Sequence, residues 1–139
     1  MQQLSLVLIG GDERRAQVKE WLRERREIAL VAELNDNSGL RLMPHLAPDI
    51  VVLDCAAPGI NALIVLPWLR MLPGVRHIIA LGASDSPVEQ RLMLELGAVA
   101  YAGPRGPAGF ARALALIEKL AQLAGRSGIP APMLDAAPA

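Results

Sequence analysis

The chain of 139 residues has a single cysteine and no excess of charge of either sign. One cysteine, Cys55, excludes an internal disulfide. Lysine and arginine together number 14, as do aspartate and glutamate, so the formal net charge is zero. A neutral chain has no general attraction to nucleic acid or to anionic lipid. The composition therefore predicts protein partners, with no direct nucleic-acid contact by this domain and no membrane partner.

The sequence also lacks a long apolar run and a secretory leader. The longest apolar stretch, at residues 62–69, contains Pro67 and is followed by Arg70. Crossing a bilayer takes about 20 apolar residues, so no membrane-spanning segment is expected. The first 15 residues show no basic segment followed by a long apolar one and a cleavage site. These absences predict a cytoplasmic location.

Short apolar runs of strand length alternate with segments of helical periodicity. The runs lie at residues 4–9, 28–34, 50–53, 77–81 and 99–101, and the helical segments at residues 12–26, 37–46, 61–72, 86–96 and 107–123. The first, third and fourth runs are almost continuously apolar, which is typical of strands covered by helices on both faces. With right-handed crossovers, the pattern predicts an α/β fold: a flavodoxin-like, doubly wound (βα)5 three-layer sandwich whose parallel five-stranded sheet has the order 2-1-3-4-5.

Prolines and glycines mark three irregular places. Pro67 removes a backbone donor within the third helical segment, which predicts a kink or a later helix start. The bond between Gly103 and Pro104 is a candidate for cis geometry. Residues 124–139 are rich in alanine, proline and glycine without periodicity, so they are predicted to form a flexible tail or linker after a folded domain at residues 1–123.

Asp54 is the most informative polar residue of the sequence. It ends the apolar third strand and is followed at once by the loop residues Cys-Ala-Ala-Pro-Gly. In the predicted fold, ligand crevices open at the carboxyl ends of the first and third strands. We therefore expect Asp54 to face Gly10, Gly11 and Asp12, which follow the first strand.

The segments DIVVLDCAAPG (residues 49–59), LGASDS (81–86) and LGAVAYAG (96–103) resemble the receiver domains of two-component response regulators. The resemblance covers about residues 4–121. It implies that Asp54 corresponds to the phospho-acceptor, whose carboxylate takes a phosphoryl group from a histidine kinase. In such domains an acid pair after the first strand holds Mg²⁺, a hydroxyl residue ends the fourth strand and a lysine ends the fifth.

The chain departs from this pattern at most of those positions, which marks it as an atypical, degenerate member. The acid pair aligns with Gly10 and Gly11, the hydroxyl residue with Gly82, and the lysine with Pro104. Tyr101 aligns with the aromatic switch residue of the family. The polar pocket that the resemblance implies is therefore largely missing around Asp54.

A metal site would have to be built from Asp12, Asp54 and the backbone carbonyl of Ala56. Mg²⁺ prefers several hard oxygen ligands in octahedral geometry, so this set is expected to bind it poorly. Asp12 also suits the N-cap of the first helix, and we favour that role over metal ligation. No cofactor is expected, with Mg²⁺ required only if the domain is competent for phosphorylation.

Three functions remain open at this point. The preferred one is an atypical receiver that acts by protein contacts, including a homodimer, through helix 4, strand 5 and helix 5, and is not an enzyme beyond any self-phosphorylation at Asp54. The second is a competent receiver that accepts a phosphoryl group from a histidine kinase and switches a downstream output domain, which could bind DNA. The third is a small-ligand sensor that uses space vacated by Gly10, Gly11 and Gly82.

Several other residues have two possible roles. Ser84 could replace the missing hydroxyl, but a role in the turn before helix 4 is favoured. Tyr101 could report a signalling state or simply pack, and Arg105 is expected to be solvated near the crevice. Cys55 is expected to pack rather than act as a nucleophile.

The remaining signals are weak. His45 and His77 have no neighbouring ligands at zinc spacing, and Gly10-Gly11 lacks the other glycines of a dinucleotide loop. The arginines of the first helix alternate with glutamates, which predicts a solvated, internally paired face. The apolar residues of the fourth helix cannot all face one core, so an exposed apolar patch is expected there.

Overall fold

The computed structural model describes residues 3–35, 39–104 and 107–126. Its five strands are all parallel to their neighbours and form one sheet in the order β2-β1-β3-β4-β5, which confirms the predicted doubly wound topology. The strands are β1 Leu4–Ile9, β2 Ile28–Leu34, β3 Ile50–Asp54, β4 His77–Leu81 and β5 Ala100–Ala102. Three of these match the predicted bounds, and β3 and β5 end one residue later than predicted.

The helices alternate with the strands along the chain. They are α1 Asp12–Leu22, α2 Met43–Leu46, α3 Ala62–Met71, α4 Pro87–Leu96 and α5 Ala108–Arg126. A 3₁₀ turn at Gly39–Leu42 leads directly into α2. None of the helices in the described ranges is long and apolar enough to cross a membrane.

Two hydrophobic layers cover the sheet because successive strand residues point to opposite faces. On one face, Leu6, Leu8 and other strand residues pack with α1 and α5 around the fully buried Phe110. On the other, Val7 and Ile9 pack with α2, α3 and α4 around Leu66, Leu69 and Met93. Burial of β1, β3 and β4 on both faces explains why their sequences are almost continuously apolar.

Two helices are shorter than their periodicity indicated. The first was predicted to reach Arg26 but ends at Leu22, where the bonds from Arg23 N to Glu20 O and from Arg25 N to Leu22 O form tight turns. The second begins only at Met43, after the 3₁₀ turn at Gly39–Leu42, and ends as predicted at Leu46, before Ala47, whose φ of 41° is left-handed. Part of its predicted range, residues 37 and 38, lies outside the described residues.

Two of the predicted effects of proline are not found. Pro67 lies inside α3, which begins at Ala62 under the Asn61 side-chain cap, so a later start is excluded, and the kink that was the alternative stays a prediction. No peptide bond between described residues is cis, so the predicted candidate at Gly103–Pro104 is wrong as well. Helix α5 continues to Arg126, three residues into the predicted tail, whose remainder lies outside the described residues.

Candidate functional site

Asp54 is held rigidly at the carboxyl end of β3. Its side chain is 5% exposed, and it is the only buried charged or polar residue among those described. Oδ1 accepts a hydrogen bond from the Ala56 backbone N–H at 3.0 Å, and Ala57 N–H bonds back to the Asp54 carbonyl at 3.3 Å. The carboxylate therefore closes its own loop, in the way that aspartate stabilises turns.

Gly10 lies directly against this carboxylate. A Cβ atom added at Gly10 would stand 2.5 Å from Asp54 Cβ and 3.1 Å from Oδ2, which is too close for any side chain without movement. Gly11 is different, because a Cβ there would meet no atom within 4 Å beyond its chain neighbours. Of the two positions that align with the acid pair, only the second has room for an acid.

Tyr101 occupies the space next to Gly82 at the end of β4. A Cβ atom at Gly82 would stand 1.7 Å from the Tyr101 hydroxyl oxygen. The hydroxyl donates to the Ser84 carbonyl at 2.6 Å, which fixes the ring over the glycine. Burial, and then the negative charge of Glu89, raise the pKa of Tyr101 to about 12, so the ring is neutral near pH 7.

Ser84 and Glu89 connect this tyrosine to the start of α4. The Ser84 hydroxyl donates to Glu89 Oε2 and accepts from Ser86 N–H at 3.3 Å. Both partners of the Ser84 side chain belong to the turn into α4 and its first residues, and neither is Asp54. The structure thus places Ser84 in the turn.

Asp12 does not line the crevice. It is the first residue of α1, its side chain is 92% exposed, and it forms an ion pair with Arg15. The N-cap is Gly11, which makes no side-chain cap, so the predicted cap role of Asp12 is wrong by one position. An acid in the first helical turn still interacts favourably with the helix dipole.

The structure brings two cations to the crevice that the sequence pattern assigned to a solvated face. Arg14 Nη2 donates to the Gly82 carbonyl at 2.8 Å, and Arg15 Nε donates to the Gly10 carbonyl at 3.0 Å. Arg15 also pairs with Glu33 on β2 at 3.1 Å. Their place in the sequence could have indicated this, because both arginines lie in the first turn of the helix that follows the β1 loop, at the carboxyl edge of the sheet.

Cys55 is half-buried behind Asp54, and its thiol donates weakly to the Leu53 carbonyl at 3.7 Å. Burial, followed by the charges of Asp54 and Glu89, raises its pKa to about 12, and Arg14 partly opposes this. The thiolate is the reactive form of cysteine, so Cys55 is inert near pH 7.

The residues at this edge do not fit a magnesium site. Among the described residues no three histidine, cysteine or acidic side chains lie close enough to hold a metal ion. With Asp12 exposed and paired, Asp54 is the only carboxylate left of the predicted ligand set. Pro104 is exposed at the lysine position, and Arg105 lies outside the described residues.

The predicted small-ligand pocket at Gly10, Gly11 and Gly82 is also wrong. Asp54 fills the space beside Gly10, and the Tyr101 ring fills the space beside Gly82. Two of the three glycines therefore permit close packing of neighbouring side chains. Only the position of Gly11 is open.

No protein-family model matches the chain. A curated relative, the protein-glutamate methylesterase/protein-glutamine glutaminase of Maricaulis maris (strain MCS10), is 31% identical over 136 residues. The match covers 91% of this chain, which spans only 33% of the length of that relative.

Solved structures with the same fold are receiver domains and response regulators. The isolated receiver domain of RcsB from Salmonella enterica serovar Typhimurium, solved with phosphomimetic BeF3⁻, has a TM-score of 0.74 at 18% identity and covers 85% of this chain and 90% of its own. The receiver domain of NarL from Mycobacterium tuberculosis has a TM-score of 0.71 at 22% identity, covering 85% and 98%. A LuxR-family response regulator from Aurantimonas sp. SI85-9A1 has a TM-score of 0.74 at 24% identity, covering 85% and 87%.

Proposed function

We propose that this chain, which has the fold of response-regulator receiver domains, is an atypical receiver that acts in cytoplasmic signalling mainly through contacts with other proteins. The observation that carries the proposal is the environment of Asp54. The acceptor-like carboxylate lies at the end of β3, but among the described residues no group of three histidine, cysteine or acidic side chains could hold a metal ion with it. A receiver without that site is expected to signal without Mg²⁺-dependent chemistry.

The missing contacts have a measurable cost. A phosphoryl group carries about −1.5 to −2 of charge, and each charge-assisted hydrogen bond to it contributes roughly 1.5 to 3 kcal/mol. Because Gly82 and Pro104 stand at the positions that align with the hydroxyl residue and the lysine, two such contacts are missing. Two lost contacts correspond to on the order of 10² to 10⁴ in the stability or rate of formation of the phosphorylated state.

Exposed apolar side chains supply a surface for partners. Val88 on α4 is 78% exposed, and further large apolar residues are exposed on α4 and α5, namely Leu92, Leu94, Leu116, Leu120 and Leu123. Exposed apolar residues on neighbouring elements are a feature of protein interaction sites. We propose that helix α4, strand β5 and helix α5 contact a histidine kinase, an output domain or a second copy of this chain.

The test is treatment of the purified protein with acetyl phosphate and Mg²⁺, followed by intact-mass measurement. We expect no appreciable gain of one phosphoryl group in the wild type. Asp54→Asn is the matched control, because it removes the nucleophilic oxygen and keeps the side-chain shape. Robust single phosphorylation of the wild type that disappears in Asp54→Asn would overturn the proposal.

A phosphorylation-competent receiver is the second candidate, and the position of Asp54 at the carboxyl end of β3 is what favours it. The same assay on Gly11→Asp tests whether an added carboxylate at position 11 restores phosphorylation. No labelling of the wild type, whether or not Gly11→Asp becomes labelled, supports the atypical receiver. Equal labelling of wild type and Gly11→Asp supports the competent receiver, which would accept a phosphoryl group from a histidine kinase.

A further inference from the structure

Arg14 reaches across the carboxyl edge of the sheet. Its helix follows β1, yet its Nη2 donates to the carbonyl of Gly82, the residue after β4. In the sheet, β3 lies between β1 and β4. In the register of β3 and β4, Asp54 pairs with Leu81, so the Gly82 carbonyl that Arg14 binds lies next to the end of β3. The residue at that end is Asp54.

The guanidinium is held there without an ordinary charge partner. Its Nη1 is buried and has no hydrogen-bond partner, and no described carboxylate oxygen lies within ion-pair distance of it. Arg14 as a whole is partly buried, and a partly buried charge without a partner is unfavourable unless a nearby opposite charge compensates it.

Two carboxylates can compensate Arg14 at this edge. Asp54 is the buried carboxylate that pairs in register with Leu81, the residue before the Gly82 that Arg14 binds. Glu89 on α4 is bound to the Ser84 hydroxyl, so its charge is already shared with a hydrogen-bond donor. Asp12 is exposed and paired with Arg15, which removes it from consideration.

We infer that Arg14 is the permanent counter-cation of Asp54 and that it does the electrostatic work a divalent metal would otherwise do in this crevice. The interaction is through space across the edge of the sheet and needs neither Mg²⁺ nor a phosphoryl group. It explains how an acceptor-like aspartate remains buried in a domain that has no metal-binding carboxylate beside it. It also explains why Arg14 is turned inward while most charged residues of α1 face solvent.

A double-mutant cycle tests the inference. Arg14→Gln keeps a donor for the Gly82 carbonyl and removes the charge, and Asp54→Asn keeps an acceptor for Ala56 N–H and removes the charge. If the two charges compensate each other, Asp54→Asn lowers the folding equilibrium constant about tenfold more in the wild-type background than in Arg14→Gln. The measurement is urea unfolding of the four proteins without Mg²⁺. Arg14→Lys retains a cation and should keep part of the coupling.

The matched control is Arg23→Gln at the C-cap of the same helix. Arg23 is 73% exposed and pairs with Glu20, so its effect should simply add to that of Asp54→Asn. A coupling of less than about twofold between positions 14 and 54, or one no larger than that at position 23, would overturn the inference.

A second experiment uses Mg²⁺ alone as the probe. Gly11→Asp adds a carboxylate where the crevice has room, and combining it with Arg14→Gln frees Asp54 for a metal. We expect Mg²⁺ to raise the melting temperature of the double variant but not of Gly11→Asp alone. Equal stabilisation of both would contradict the inference. Because neither experiment uses a phosphodonor, they can fail independently of the proposed function.

Discussion

At the scale of single residues, close contacts between two glycines and the side chains beside them shape the crevice. Gly10 and Gly82 have none of the left-handed φ values that require glycine, so close approach explains them. Asp54 and the Tyr101 ring occupy the two spaces. A substitution at either glycine therefore acts first on the neighbouring side chain.

We predict that Gly82→Ser destabilises the domain by about 1 to 3 kcal/mol, the usual cost of overpacking. The added side chain would collide with the Tyr101 hydroxyl and break its 2.6 Å bond to the Ser84 carbonyl. Urea unfolding measures the free energy, and the ring resonances of Tyr101, the only tyrosine of the chain, report its displacement.

Gly11→Ser is the matched control for this prediction. It places the same side chain in open space at the N-cap of α1, where serine is favoured, so it should be neutral or stabilising. Gly82→Ser should also cost much less when Tyr101 is replaced by alanine. A cost that is unchanged in the Tyr101→Ala background would contradict the collision.

At the scale of elements, α4 begins with a sequence that encodes a capping box, but its glutamate has another partner. Ser86 caps the helix by accepting from Glu89 N–H at 3.4 Å, with Pro87 at the first helical position. The Glu89 side chain binds Ser84, whose hydroxyl in turn accepts from Ser86 N–H. The helix start and the crevice therefore share one hydrogen-bond network.

We predict that Ser86→Ala lowers the free energy of unfolding by about 1 kcal/mol, the typical contribution of an N-cap. The variant loses the acceptor for Glu89 N–H at the start of α4. Chemical denaturation measures the loss. Ser86→Asp keeps an acceptor and should be close to the wild type, so an aspartate variant as unstable as the alanine variant would rule out the capping role.

At the scale of the whole molecule, the two hydrophobic layers share one sheet. Each layer also contains one tryptophan: Trp21 packs with the α1 and α5 layer, 5.4 Å from the Phe110 ring, and Trp68 packs with the opposite layer. Since β1, β3 and β4 contribute side chains to both layers, neither layer can be lost while the sheet stays intact.

We predict that both layers unfold together, as in most domains of fewer than about 150 residues. Trp68→Phe leaves a reporter in the first layer, and Trp21→Phe leaves one in the second. In each variant, the urea midpoint from tryptophan fluorescence should equal the midpoint from far-ultraviolet circular dichroism. A fluorescence midpoint clearly below the dichroism midpoint in either variant would show that its layer opens separately.

Sequence patterns predicted the sheet well because the strand signal is local. Runs such as Leu4–Ile9 and His77–Leu81 are mostly apolar because most of their residues are buried on both faces of the sheet. The limits of the buried segment are therefore also the limits of the strand. The second helix was predicted to begin too early, since residues 39–42 form a 3₁₀ turn and the α-helical turn begins only at Met43, whereas its predicted end at Leu46 is correct. Periodicity does not separate a 3₁₀ turn from an α-helical turn in so short a segment.

The site was predicted less completely because its contacts join residues that are far apart in the sequence. Asp54 could be found because it ends a strand, and a strand end has a fixed place in this topology. The position of Arg14 depends on a hydrogen bond from its side chain to the carbonyl of Gly82, 68 residues further along the chain. Helical periodicity assigns a residue to a face of its own helix but does not describe the reach of a long side chain beyond the helix end.

The packing of Tyr101 on Gly82 also determines which position of the ring a binding partner encounters. The structure has the ring seated on the glycine, with its hydroxyl bound to the Ser84 carbonyl. A change of conformation that binding requires lowers the apparent affinity. A partner that contacts the ring in this position therefore needs no rearrangement, whereas one that requires the ring to leave Gly82 must supply the free energy of the change itself.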